Sequence, residues 1–320
     1  MKTRMLITGA SGFIGRNLFE YFSKKDGVEL FGTYKSRRIA PLNHTYYGDL
    51  TREEAVRNLL KEIKPHVLIH AAAATTGFQD FKQRESKFIH DNIVMNTHII
   101  ALAAEYNVPH VVLLGCALVY PSQNIVVIES DDQLMTSLEH PYSGGAKVKR
   151  VMEDLAWQYA HLSGGKTAYT LIRHSNIYGP YDKFKGGGHL IAGKIAEVAN
   201  AKIGDTVSVR GPGTELRDVL HIDDLLHFVD IALLKDMLRT YVWNVGYGRS
   251  FSVNDIVRMI ISLSGKQLII CNDTSVSGAP TQPALNCTKA KQKLGWEPKV
   301  SILQGLGMTM DWYKANKHLL

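Results

Sequence analysis

The chain has 320 residues, 45% hydrophobic and 21% charged, an ordinary make-up for a soluble globular protein with room for a large core and one or two domains. Its 37 lysines and arginines exceed the 30 acidic residues for a formal net charge of +7, scattered except at Lys35-Ser36-Arg37-Arg38 and Lys147-Val148-Lys149-Arg150; this suits an anionic small molecule and argues against a nucleic-acid partner. Three cysteines without metal-like spacing, no apolar run of spanning length and no signal-peptide pattern predict a cytoplasmic protein with no metal and no membrane segment.

The first predicted strand, Met5–Thr8, runs into Gly9, Gly12 and Gly15 and then a helix over Ile14–Ser23. Strand, glycine turn and helix are the context of a dinucleotide-binding fingerprint, here spaced G-x-x-G-x-x-G. Gly9 allows the tight turn, Gly12 lets backbone approach a pyrophosphate and Gly15 lets helix and strand pack closely. Ser11, Phe13 and Ile14 complete the cradle, and the helix N-terminus offers N–H groups and a partial positive charge.

A second strand, Val28–Gly32, ends in Thr33-Tyr34-Lys35-Ser36-Arg37-Arg38 with no acid at its tip. A basic tip suits the 2′-phosphate of NADP, with Arg37 and Arg38 as its holders, and NAD is the other candidate. A third short strand leads to Asp49 and Leu50, with Asp49 placed for the adenine. A helix follows over Glu53–Ile63, then a strand over His66–Ala71 whose end, Ala71, Ala72 and Ala73, leaves space for a cofactor backbone. Further helices are predicted at Ser86–Tyr106 and Val148–His161, and strands at His110–Leu114 and Tyr169–Arg173.

This alternation predicts an α/β fold with a doubly wound parallel sheet. The Rossmann-type domain spans 1–175, rejoined by 219–247; 176–218 and 248–320 build a smaller C-terminal lobe for the substrate, with a helix near His189–Asn200. Ligands bind at the carboxyl ends of such strands.

Four later stretches carry a family resemblance. They are Leu113 to Pro121, His140-Pro141-Tyr142-Ser143-Gly144-Gly145-Ala146-Lys147, Asn176-Ile177-Tyr178-Gly179-Pro180 and Glu215 to Leu225. Together with the glycine turn, Asn244-Val245-Gly246 and Leu294 to Pro298, they resemble the extended short-chain dehydrogenases/reductases, the nucleotide-sugar epimerases, dehydratases and reductases. Within that family the pattern is most similar to the reductases of nucleoside-diphosphate 4-keto-6-deoxy sugars, the GDP-L-fucose synthases among them.

The resemblance implies an NADP-dependent enzyme with a nucleotide-sugar partner, expected as a homodimer. It makes Tyr142 the general acid/base and Lys147 its helper at the nicotinamide ribose. A neighbouring ammonium and a cationic ring lower a phenol's pKa in a dry cleft, and moving it from about 10 towards 7 takes roughly 4 kcal/mol. Cys116 stands at the Ser/Thr position that orients the substrate oxygen. His189 matches a proton-transferring His, and Asn176 and Arg217 fall at substrate positions, Arg217 suiting a diphosphate.

Two departures stand out. Tyr142 and Lys147 are five residues apart where the family has four; Gly144-Gly145 would restore the geometry if the helix began only at Ala146. The partner of His189 in double epimerisation, a cysteine in the fucose synthases, is Leu118, which holds no exchangeable proton. Three readings remain: C4 reduction, an epimerase or dehydratase with tightly held NAD, and a dinucleotide-binding protein without turnover.

Overall fold

The computed structural model describes residues 2–36, 44–75, 78–122, 125–129, 143–185, 189–235 and 239–319. In chain order the elements are β1 (Thr3–Thr8), α1 (Phe13–Phe22), β2 (Val28–Tyr34), β3 (Thr45–Tyr47), α2 (Glu53–Ile63), β4 (Val67–His70), α3 (Phe78–Glu105), β5 (His110–Leu114), β6 (Val126–Val127), α4 (Ser143–Leu162), β7 (Ala168–His174) and β8 (Asn176–Tyr178). There follow α5 (Leu190–Asn200), β9 (Thr206–Arg210), β10 (Leu216–His221), α6 (Ile222–Lys235), β11 (Tyr241–Val245), β12 (Ser250–Ser252), α7 (Val253–Ser264), β13 (Ile269–Asp273), β14 (Ala284–Leu285), α8 (Thr288–Leu294) and α9 (Ile302–Asn316).

Seven strands form one sheet in the order β11-β7-β5-β4-β1-β2-β3, all parallel. The chain winds outward from β1 through β2 to β3, then restarts at β4 and winds the other way. The topological switch point therefore lies between β1 and β4, where doubly wound sheets open a crevice. Alternation along β1 shows why both faces need helices. Met5 and Ile7 enter one apolar core with Leu18, Phe19 and Phe22 of α1 and Leu225, Phe228 and Val229 of α6. Leu6 enters the other, with Leu59 and Leu60 of α2, Ile99 and Ile100 of α3 and Met152 and Ala156 of α4. A third core, with Ile195 of α5, Val207 of β9, Ile256 of α7 and Leu306 of α9, belongs to the C-terminal lobe.

Two stretches run differently from the expected division. β11 does rejoin the large sheet, but β10 pairs with β8 and β12 in a separate three-stranded sheet. The reason is position: Val219 faces the lobe core while Leu220 faces the sheet core, so β10 separates the two. Conversely Ala290, Leu294 and Trp296, expected in the lobe, pack against the large sheet. The Trp296 indole donates to Asp224 O at 3.1 Å, which ties this stretch to α6.

Two interior histidines make stability pH-dependent. His70 at the end of β4 lies between Thr8 Oγ1 (2.7 Å) and Asn96 Oδ1 (3.1 Å), and His110 Nε2 meets Thr170 Oγ1 at 2.8 Å. Burial pushes each imidazole down to about 4. Above pH about 6.5 both are neutral in the folded and the unfolded chain. Below it the unfolded chain binds protons that the native state refuses, so stability falls as pH drops from about 6.5 to 4, by roughly 3 kcal/mol per histidine at the lower end. The expected result is a melting temperature that declines steadily over that window and declines less in His110→Gln. An equal decline in that variant would show that His110 titrates normally.

Candidate active site

The glycine turn sits at the carboxyl end of β1, against the end of β4. Gly9 has a φ of +66°, and a Cβ there would stand 2.6 Å from Ala72 Cα, so only glycine lets these two chain segments touch. At Gly15 a Cβ would come within 2.1 Å of the Gly9 carbonyl oxygen. Gly12 is the N-cap of α1 and supplies no side-chain cap. The first N–H groups of α1 therefore meet no acceptor from their own cap, as in an anion-binding helix start. This bare cradle fits a dinucleotide pyrophosphate. Phe13 and Ile14 open the helix and are half-buried, as are Ser11, Ala71 and Ala72, while Ala73 is exposed.

At the adenosine side, Asp49 Oδ1 accepts from Lys35 Nζ at 2.9 Å and from Thr51 Oγ1 at 2.7 Å. This links the tip of β2 to the turn after β3, with Leu50 buried beneath. Arg37 and Arg38 lie outside the described residues.

At the other end of the crevice stands β5. Cys116 follows it, and burial pushes its thiol up while the Lys149 ammonium pulls it down. Lys149 reaches in from α4 and donates to Leu114 O at 2.7 Å. Burial lowers its pKa, with Cys116 and Glu153 acting against that shift. His174, at the end of β7, donates from Nδ1 to Ser175 O at 2.7 Å. Burial, helped by Lys149 and His189, pushes it down to about 4, so it is neutral at pH 7.

These positions correct the reading of α4. Ser143, Gly144 and Gly145 are already helical, so the helix does not wait until Ala146. The bareness of the glycines serves packing instead: a Cβ on Gly144 would stand 2.6 Å from Glu85 Oε1 and 2.9 Å from Ile89 Cδ1 of α3. Lys147 is exposed. Two residues turn a helix by about 200°, so Lys147 points away from the face that carries Lys149. The ammonium that reaches the end of β5 is therefore that of Lys149. The sequence held a signal for it: Lys149 falls on the buried stripe of Gly145, Val148, Met152, Glu153 and Ala156. Tyr142 lies outside the described residues, and the position one turn before Lys149 is Gly145.

On the lobe side, Asn176 Nδ2 donates to Asp218 O (2.9 Å) and Gln282 Oε1 (2.5 Å). Arg217 is buried and donates to Leu216 O (2.6 Å) and Ala279 O (2.7 Å). It therefore stands inside the lobe and not on its surface. His189 is the N-cap residue of α5, half-exposed, with its ring 6.3 Å from that of Phe13 at the glycine turn. Its Nδ1 meets Asp182 Oδ1 at 2.6 Å, a partner that no local sequence signal indicated. Lys183 Nζ donates to Thr75 Oγ1 at 2.5 Å, which joins the lobe to the loop after β4.

Comparison with known proteins agrees with this geometry. The model of the NAD dependent epimerase/dehydratase family matches residues 5–246. GDP-L-colitose synthase of Yersinia pseudotuberculosis is 24% identical over 318 residues, 98% of this chain and 99% of that protein. GDP-L-fucose synthase 1 of Arabidopsis thaliana is 30% identical over 280 residues, 84% of this chain and 83% of that one. In fold, the UDP-glucose 4-epimerase of Thermotoga maritima, solved with UDP-glucose, has a TM-score of 0.85 at 24% identity, with 99% of this chain and 100% of that chain covered. The chain belongs to the NAD dependent epimerase/dehydratase family, whose members are NAD(P)-dependent enzymes.

Proposed function

We propose that this family member is an NADP-dependent reductase that acts at C4 of a nucleoside-diphosphate 4-keto-6-deoxy sugar, without efficient double epimerisation. The observation that carries the reading is the residue pattern at the end of β5: the crevice keeps Cys116 and the half-buried Lys149, whereas Leu118 occupies the position that needs an exchangeable proton. Relatives of nearly full length support it. The dTDP-4-dehydro-6-deoxy-D-allose reductase of a Streptomyces species is 25% identical over 325 residues, 98% of this chain and 97% of that protein.

The bound nicotinamide supplies the hydride. The protein's own work is to hold the sugar and provide the proton. Tyr142 is the proposed donor to the reduced oxygen. Lys149 supplies the positive charge that makes a phenol acidic, in a place where little water screens it. Cys116 faces the same carbonyl, and its thiol, which burial keeps protonated, is a weak donor. Arg217 and Asn176, which the resemblance places at the nucleotide sugar, are engaged inside the lobe, so their role here is to brace the substrate side rather than to meet the diphosphate directly. A screen of nucleotide sugars that follows NADPH absorbance tests the reading directly. Oxidation with a 4-keto-6-deoxy sugar is expected; NADPH binding without turnover across the panel would leave a binding protein.

The choice of NADP rests on Lys35 and on the absence of an acid at the tip of β2. Arg37→Ala combined with Arg38→Ala is expected to weaken NADPH about tenfold or more and to leave NADH nearly unchanged. Equal losses for both cofactors would count against a 2′-phosphate site.

A further inference from the structure

Residues 179–184 follow β8 and run between α1 and α9 as a strap anchored on both sides. Asn17 Nδ2 of α1 donates to Pro180 O at 2.9 Å. Tyr181 takes a left-handed φ of 65°, donates to Glu20 Oε1 at 2.9 Å and packs edge-on against Trp312 of α9 at 4.8 Å. Phe184 stacks on the same Trp312 at 5.7 Å. The residue held between these anchors is Asp182.

The Asp182 side chain is fully buried, at 0% exposure. Its Oδ1 accepts from Lys183 N at 2.7 Å and faces His189 Nδ1 at 2.6 Å. Its Oδ2 is buried and has no hydrogen-bond partner among the described residues. A turn needs only one acceptor oxygen, which asparagine supplies without a charge. A buried carboxylate is costly unless it is matched by a donor that needs it. Among the described residues the side-chain donor on it is His189, whose other face is half-exposed beside the ring of Phe13 and within electrostatic reach of His174.

We propose that Asp182 is a positioning residue that holds His189 in the Nδ1–H tautomer and so leaves Nε2 as a hydrogen-bond-accepting atom at the mouth of the crevice. The chemistry is direct. A carboxylate accepts only, so the hydrogen between Oδ1 and Nδ1 belongs to the ring, and the lone pair then stands on Nε2. In that state the Nε2 lone pair accepts a hydrogen bond from a sugar hydroxyl beside the reacting carbonyl and so orients the sugar, with no proton transferred. This use of His189 in turnover rests on the reductase reading above; the tautomer itself does not.

Asp182→Asn tests the proposal, because asparagine keeps the volume and the acceptor for Lys183 N. Histidine-selective nitrogen NMR of the full chain is expected to find His189 protonated on Nδ1 and bare on Nε2. In the variant the Nε2–H form should grow, because the amide can now donate to Nδ1. With NADPH and a nucleoside-diphosphate 4-keto-6-deoxy sugar, the variant is expected to lose about tenfold or more in kcat, with KM and NADPH affinity within about threefold. A wild-type Nε2–H tautomer, an unchanged tautomer in the variant, or an unchanged kcat would each overturn it. Should the wild type reduce no such sugar, the reductase reading fails, and the NMR comparison still decides the role of Asp182.

Discussion

Lys149→Met is expected to lower turnover by about a hundredfold or more, the usual weight of an acid–base group or its charged support. Methionine keeps the length and most of the volume of the lysine stem, so α4 should still pack. What disappears is the ammonium that donates to Leu114 O beside Cys116. Burial lowers the pKa of that ammonium, so removing it relieves a desolvation cost, and the variant should melt near the wild type. The control is Lys147→Met on the exposed, opposite side of the helix, expected within about twofold of wild type. Steady-state rates with NADPH and a keto sugar compare the two. A large loss at Lys147 with none at Lys149 would restore the assignment read from spacing alone.

The second large effect is on stability. Arg173 on β7 donates from Nε to Glu153 Oε1 at 3.0 Å and from Nη2 to Oε2 at 2.7 Å, a two-pronged pair whose side chains are 1% and 2% exposed. Arg173 Nη1 also donates to Tyr120 Oη at 3.1 Å, and Tyr120 donates on to Asn244 Oδ1 at 2.8 Å. Arg173→Met strips a buried carboxylate of its main partner and leaves Arg150 Nη1, 3.1 Å from Oε2, as partial compensation. The expected cost is about 3 to 5 kcal/mol, or roughly 10 °C in the melting midpoint. The double variant Glu153→Met, Arg173→Met should recover most of it, because no lone charge then stays buried. A single variant as stable as wild type would show that the pair carries little weight. Glu153 lies one turn after Lys149 on the same face of α4, and its charge acts on the ammonium electrostatically.

Much of the architecture was legible along the chain. The continuous apolar runs gave β1, β4 and β7 with boundaries off by a residue or two, and β5 and α2 coincide with their expected spans. The glycine turn was readable because its chemistry is local: Gly9 needs its positive φ, and a Cβ on Gly15 would clash with a residue only six positions away. α3 already runs at Phe78, eight residues before the expected start at Ser86.

The site was legible only in part, for a geometric reason. A helix advances about 100° per residue, so an error of two positions in choosing a lysine moves its ammonium to the opposite side. The helical Gly144 and Gly145 fit closely against α3, at Glu85, Phe88 and Ile89. That contact joins residues more than fifty positions apart, and no local spacing rule contains it.

By itself, then, the sequence determined the alternating strands and helices of the large sheet, the glycine turn and the family, because these follow from neighbours along the chain. Tertiary structure alone decided that Lys149 enters the crevice, that β10 leaves the large sheet, that α8 returns to it and that Asp182 backs His189. Each of these depends on the rotational phase of a helix, or on the choice of a strand or side-chain partner. Packing between distant segments sets that phase and those partners, since the chain buries its apolar faces and pairs its buried charges only when the whole fold closes.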